Sequence, residues 1–134
     1  MPAVPGTLVR VDSGAMGGRG RVRDRDEEAG PRADARTWAA VGAELGERAT
    51  LVQFSSAFCA PCRATRRVLG EVAALVPGVA HVEIDAEARL DLVRRLEIVS
   101  TPTVLVLDAS GRIVRRATGQ PRKADVIAAL GEAV

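Results

Sequence analysis

Residues 52–63 read VQFSSAFCAPCR, and the order of residue types across this stretch decides the fold. Thr50–Phe54 (TLVQF) is a short run of β-formers. Cys59–Val76 has helical periodicity, with Val68, Leu69, Val72, Leu75 and Val76 on one side and Arg63, Arg66, Arg67 and Glu71 on the other. Pro77-Gly78 ends that helix. The chain thus passes from strand to helix through two cysteines at i and i+3. Cys59 lies where helical N–H groups point outward and the macrodipole is positive, which stabilises a thiolate. Cys62 lies one turn inside, close enough to close a small disulfide ring. Pro61 is tolerated in a first turn and limits the loop's freedom. In open α/β sheets, sites lie beyond the carboxyl ends of strands, and the motif stands there. Two blander readings attach to the same pair: small core residues, or half of a zinc site. Zinc needs two further ligands, and His81 with carboxylates is a poor supply, so redox chemistry leads and no metal is expected.

Outward from this stretch the chain is periodic from Ala35 to its end. Ala35–Gly46 reads as a helix with Trp38, Val41 and Leu45 on one face, and Gly46 as its C-cap. Trp38 reads as a packing residue. Ala80–Asp85 alternates as a strand, and Glu87–Leu96 reads as a helix with Leu90, Val93 and Leu96 inward. Thr103–Leu107 is an uninterrupted apolar strand, Ala109-Ser110-Gly111 a turn, and Arg112–Ala117 the returning strand of a hairpin. Pro121–Val134 closes as a helix with Val126, Ile127, Leu130 and Val134 inward. The alternation implies parallel pairing of the first three strands, an antiparallel hairpin edge, and helices on both faces.

Residues 1–34 differ. They hold six of the 13 Gly and three of the 7 Pro, and the charge run RGRVRDRDEE from Arg19 to Glu28. Such composition cannot offset the entropy of ordering, so 1–34 is expected to be a flexible charged tail and 35–134 the folded domain. Thr7–Val11 is the one candidate edge strand within it.

The length, 134 residues, suits one domain. A 47% hydrophobic and 27% charged composition suits a soluble protein, and no apolar run is long enough for a membrane span. Trp38, Phe54 and Phe58 are the only aromatics, which disfavours a base-stacking nucleic-acid surface. The 19 basic and 17 acidic residues are interspersed, as on a mixed solvated surface. The N-terminus lacks the pattern of a secretory signal.

With these features the segment from Ala35 to Val134 resembles the thioredoxin family. VQFSSAFCAPC, Val52 to Cys62, is similar to the family's strand, loop and CxPC motif. Thr101-Pro102-Thr103 matches its cis-proline segment, Asp108-Ala109-Ser110-Gly111 its hairpin turn, and Gly119 a glycine beside its active site. The resemblance implies an α/β thioredoxin fold, a mixed central sheet flanked by helices on both faces. It also implies a thiol–disulfide oxidoreductase that reduces protein disulfides. Cys59 would be the nucleophile and Cys62 the resolving thiol. Phe58, Pro61, Thr101, Pro102 and Gly119 would bind substrate. No cofactor is implied. The implied partners are disulfide-containing proteins and a thioredoxin-reductase-like or membrane electron donor, and the family default is a monomer.

Four departures from the family pattern matter. Gln53 stands where cytosolic members carry a buried acid, and an amide cannot take a proton from Cys62. His81 stands where a lysine often pairs with that acid, so Gln53 and His81 are candidate members of a proton relay. Phe58 and Ala60 replace the usual Trp and Gly around Cys59. Two other readings stay open: a peptide-binding module without turnover, using the dish of Phe58, Pro61, Thr101 and Gly119, or an oxidant or isomerase of exported proteins. A cytoplasmic location is expected, with a membrane-anchored extracytoplasmic form as the alternative that Gln53 and the spacer-like tail suggest.

Overall fold

A computed structural model of the chain describes residues 8–10 and 31–134. The elements in chain order are β1 (Leu8–Arg10), α1 (Ala35–Ala39), β2 (Ala49–Ser55), α2 (Ala60–Leu75), β3 (Val79–Asp85), α3 (Leu90–Arg95), β4 (Thr103–Asp108), β5 (Ile113–Thr118) and α4 (Lys123–Ala133). The strands form one mixed sheet in the order β1-β5-β4-β2-β3. The expected tail falls largely outside the described residues. Within it, Leu8–Arg10 pairs antiparallel with Arg115–Ala117 as an edge strand. Ahead of residue 35, Ala33 is buried and Asp34 caps α1.

Of the three strands expected to be parallel, only β2 and β3 are; β4 runs antiparallel to β2. The crossover lengths explain the difference. The 16 residues of α2 extend about 24 Å, enough to return the chain along a whole strand. The 6 residues of α3 extend only about 9 Å. The chain therefore enters β4 at the end of the sheet where β3 leaves it. This brings the start of β4 beside the end of β2, with Thr103 opposite Phe54.

Alternation along the strands divides the core. Ala49, Leu51, Val104, Val106 and Ala117 face α2 and α4, where they meet Leu69, Val72, Val126, Ala129 and Leu130. Val52, Phe54, Ile84, Leu105 and Leu107 face the other side, with Trp38, Leu92, Leu96 and Ile98. Both faces are covered, as the apolar run of β4 requires.

Helix bounds and phases differ from expectation in four places, the first being α2, where Leu69 and Val72 are buried but Leu75, expected on the same apolar stripe, is exposed at its last turn. α1 stops at Ala39 instead of Gly46, because Gly42 turns the chain at φ +77°. Val41 and Leu45 still pack on the core from the loop, and the N–H of Gly46 donates to Thr50 Oγ1. In the 87–96 segment the helix begins late, since Asp85 accepts the Glu87 N–H and holds a turn there. The buried residues are then Leu92 and Leu96, Val93 packs half-buried against the same core as expected, and Leu90 is exposed. In α4, Ala129 and Ala133 complete the buried stripe with Val126 and Leu130, at i, i+3, i+4 and i+7. Ile127, 44% exposed, and Val134 lie outside it.

Gly111 shows why the hairpin turn carries glycine. It sits at φ +85°, and a Cβ there would lie 2.8 Å from the Ala35 nitrogen. Its carbonyl accepts the indole N–H of Trp38 at 2.8 Å, which docks α1 on the turn.

Candidate active site

The loop after β2 runs Ser56-Ala57-Phe58, and Cys59 is the N-cap of α2. Cys59 is extended (φ −114°, ψ 99°), and its Sγ accepts the backbone N–H of Cys62 at 3.2 Å. Its carbonyl accepts the N–H groups of Cys62 and Arg63. Pro61 occupies the first turn, where no N–H is needed, and its carbonyl accepts the Thr65 hydroxyl at 2.8 Å. Cys59 and Cys62 form a disulfide with a Cα–Cα distance of 5.2 Å. The two sulfurs differ in access: Cys59 is half-buried, whereas Cys62 is 1% exposed. Phe58 holds a left-handed backbone (φ 57°), uncommon for a bulky residue, and its ring is fully exposed.

A second loop closes on the first. The Thr101–Pro102 peptide is cis. The Thr101 and Ser56 hydroxyls are hydrogen-bonded at 2.8 Å, which ties this loop to the one carrying the cysteines. The Pro102 carbonyl accepts the Gly119 N–H at 2.9 Å, and Gly119 sits at φ +88°. Thr103 Oγ1 donates to the Ser100 carbonyl at 2.6 Å, fixing the entry to β4. Phe58 and Pro61, Thr101 and Pro102, and Gly119 thus come from three adjoining segments at one end of the sheet: the β2–α2 junction, the loop before β4 and the loop after β5.

Beneath the disulfide the α2-facing side of the sheet turns polar. Gln53, fully buried, donates through Nε2 to the Cys62 carbonyl at 2.7 Å and to Ser55 Oγ at 2.9 Å. Its Oε1 lies 3.3 Å from His81 Nε2. The two candidate relay residues are therefore in contact, but the amide reaches the main chain of Cys62 and not its sulfur. Glu83, on the same face of β3 as His81, takes Arg66 in a bidentate ion pair at 2.7 and 2.6 Å. That pairing holds the Glu83 carboxyl below its ordinary range, against the opposing effect of partial burial, with Ser55 adding a further hydrogen bond. Burial lowers the pKa of His81; Glu83 opposes this and Arg66 reinforces it. Of the three arginines on the exposed face of α2, Arg66 is engaged by Glu83, and Arg63 and Arg67 are solvated.

Ser55 and Ser56 were not singled out in the sequence. Their signal is positional: two hydroxyls between the end of a strand and the first cysteine, where one can face the sheet and the other the neighbouring loop. A cleft of about 380 Å³ lies beside them, lined by Ser55, Ser56, Ala57, Arg66, Glu83 and Asp85. Among the described residues, no group of three His, Cys, Asp or Glu side chains is placed to hold a metal ion.

Comparison with known proteins agrees with this geometry. The thioredoxin family model matches residues 36–132. A thioredoxin of Mycolicibacterium smegmatis is 33% identical over 87 residues, which span 63% of this chain and 77% of that protein. The solved chloroplastic thioredoxin z is 25% identical with a TM-score of 0.57, over 65% of this chain and 79% of its own. A thioredoxin of Halobacterium salinarum shares the fold at a TM-score of 0.59 and 16% identity, over 65% and 75% of the two chains.

Proposed function

The chain belongs to the thioredoxin family and is a thiol–disulfide oxidoreductase, and from that premise we propose how its residues divide the work of reducing protein disulfides. Cys59 is the nucleophile and Cys62 the resolving thiol. The observation that carries this assignment is the unequal access of the two sulfurs: Cys59 caps α2 within reach of solvent, and Cys62 is buried one turn inside. The helix N-terminus favours the thiolate of the capping residue.

In the reduced protein, the Cys59 thiolate attacks one sulfur of a substrate disulfide and displaces the other as a thiolate, leaving a mixed disulfide. Cys62 then loses its proton, and its thiolate attacks Cys59 Sγ. This closes the Cys59–Cys62 bond and releases the second substrate sulfur. Two electrons pass from the dithiol to the substrate, and the two thiol protons end, through solvent, on the two substrate sulfurs.

The exposed Phe58 ring and Pro61 form one lip of the substrate site. Thr101, ahead of the cis-proline, offers its backbone to an extended substrate segment, and Gly119 leaves room for that segment to approach. The oxidised pair is returned to the dithiol by a thioredoxin-reductase-like or membrane electron donor.

Substitution at the two sulfurs tests the assignment. Cys59→Ser abolishes disulfide reduction, and Cys62→Ser accumulates substrate bound to Cys59. Full turnover in either variant overturns the roles. The reduction potential tests the direction. A value near or below about −270 mV marks a reductant, and one near about −120 mV an oxidant. The reducing value fits a cytoplasmic location, the oxidising one an extracytoplasmic location.

A further inference from the structure

Gln53 has a role that its chemistry and hydrogen bonds define together. A buried amide brings two N–H donors and one carbonyl that must all find partners. The Cys62 carbonyl can only accept, so the NH₂ group of Gln53 faces it, at 2.7 Å. The amide oxygen is thereby turned to His81 Nε2 at 3.3 Å, and since that oxygen also only accepts, Nε2 carries the hydrogen. The remaining N–H goes to Ser55 Oγ. Every partner is fixed, and none is a sulfur.

We propose that Gln53 is a positioning residue for the resolving thiol: it holds the Cys62 main chain in place while the disulfide is open, and it exchanges no proton. When Cys59 is joined to substrate, the covalent tie between the two cysteines is gone. The first turn of a helix has few intrahelical bonds to restrain it. The Gln53 bond runs to a backbone carbonyl, which is the same in both redox states, and from an amide, which does not titrate. In the resolving step, the Cys62 proton goes to solvent water. The Cys62 thiolate forms the bond to Cys59 Sγ, and the substrate thiolate leaves with the electron pair of the broken bond. The titratable or charged groups around Gln53 are the two cysteines and Arg66 from α2, and His81 and Glu83 from β3. On the same face β4 and α4 contribute Val104, Val126 and Leu130, which do not titrate.

The inference rests on the dithiol cycle, and its test separates the two. The reduced full-length protein, in excess, is mixed with dithiobis-nitrobenzoate in a stopped-flow instrument. The first nitrothiophenolate released reports Cys59 attack, and the second reports resolution by Cys62. No second release from the wild-type protein would overturn the dithiol cycle itself. Given that release, Gln53→Leu is expected to slow the second step about five- to tenfold and leave the first unchanged, the effect of losing one buried hydrogen bond. Equal slowing of both steps, or of neither, overturns the proposal.

Should the leucine variant not fold, Gln53→Glu decides. Its protonated carboxyl retains one donor for the Cys62 carbonyl, and its ionised form retains none. The ratio of its second-step rate to that of wild type at the same pH is therefore expected near one at low pH, falling as the introduced carboxyl ionises. A ratio that stays flat overturns the proposal. A ratio that rises also overturns it, by showing that a proton acceptor at this position speeds the step.

Discussion

The two faces of the sheet are covered by helices of different lengths, and they are held in different ways. On one face lie α2 and α4, 16 and 11 residues long, whose buried stripes meet Leu51, Val104 and Val106. On the other lie α1 and α3, of 5 and 6 residues, too short to be stable by themselves. These short helices are pinned by polar contacts. Trp38 donates to Gly111, Asp34 and Thr37 form a capping box on α1, and Arg116 donates to the carbonyls of Leu96 and Glu97 at the end of α3. The long-helix face has polar ties of its own, Lys123 to Glu71 between α4 and α2 and Arg115 to Glu132 between β5 and α4, but its two long helices also bury continuous apolar stripes. Beside these ties it places a separate polar cluster, Gln53, Ser55, His81 and Glu83, at the end nearest the disulfide. Apolar burial carries that face, and its polar groups are free to serve the site.

The comparison breaks most visibly at Trp38, which belongs to the short-helix face both by packing and by its hydrogen bond. Trp38→Ala is expected to cost about 3–5 kcal/mol, a large part of the roughly 5–15 kcal/mol that holds a domain together. Urea titration followed by circular dichroism measures it. Trp38→Phe keeps most of the packing and loses the bond to Gly111, so the difference between the variants separates the pin from the burial. On the long-helix face, Leu69→Ala has no pin to lose. Its cost, about 2–5 kcal/mol, comes from transfer and cavity alone. If Trp38→Phe were as stable as wild type, the polar anchoring of the short helices would be wrong.

The same contrast governs what could be read from the sequence. The strand Thr50–Phe54, the helix beginning at the cysteines and the strand Thr103–Leu107 were legible, because each carries a sustained pattern of one period. Val126 and Leu130 were legible for the same reason. The short helices were not. Val41 and Leu45 fit a helical spacing yet pack from a loop, and Gly42 supplies the positive φ that ends the helix early. Ile127 and Val134 were misplaced because hydrophobicity was weighed ahead of phase, while the small Ala129 and Ala133 fill the inward positions. The antiparallel entry of β4 was hidden because an alternation of elements does not reveal that one crossover helix is too short to return the chain.

At the site, the cysteines carried a local signal, whereas Thr101, Pro102 and Gly119 came only with the family resemblance. Gln53 and His81 were found only as departures from a resemblance. Ser56 was missed, because its partner Thr101 lies 45 residues away.

A smaller effect sharpens the comparison at the start of α1. Asp34 accepts the N–H groups of Arg36 and Thr37, and its own N–H donates to Thr37 Oγ1. Asp34→Ala is expected to cost about 1 kcal/mol, seen as a lower urea midpoint with unchanged slope. A five-residue helix has little else to keep its first turn closed. The same substitution pattern has no counterpart on α2, where the capping residue is Cys59 and the cap is part of the chemistry.

The smallest effect belongs to the polar end of the long-helix face, and a proton titration reads it better than unfolding does. Burial lowers the folded-state pKa of His81 below its ordinary 6.5, with Glu83 partly restoring it. An unfolded chain therefore binds more protons than the folded one as the pH drops below about 6.5. The contribution of His81 to stability is fully present above that pH. It declines as pH falls toward the folded value and levels off below it. Glu83→Gln removes the group that raises His81 and leaves Arg66, which lowers it, without its charged partner. Both changes act in one direction, so the His81 titration is expected to move further down and the window of lost stability to extend to lower pH. His81 is the single histidine of the chain, so its ring resonances report the shift without ambiguity. The exposed Arg66–Glu83 pair itself should leave the neutral-pH urea midpoint almost unmoved, since solvent and salt screen such pairs. A rise in the His81 pKa would mean that Glu83 does not act on the imaidazole through its charge, and that the polar end of this face is organised by hydrogen bonds alone.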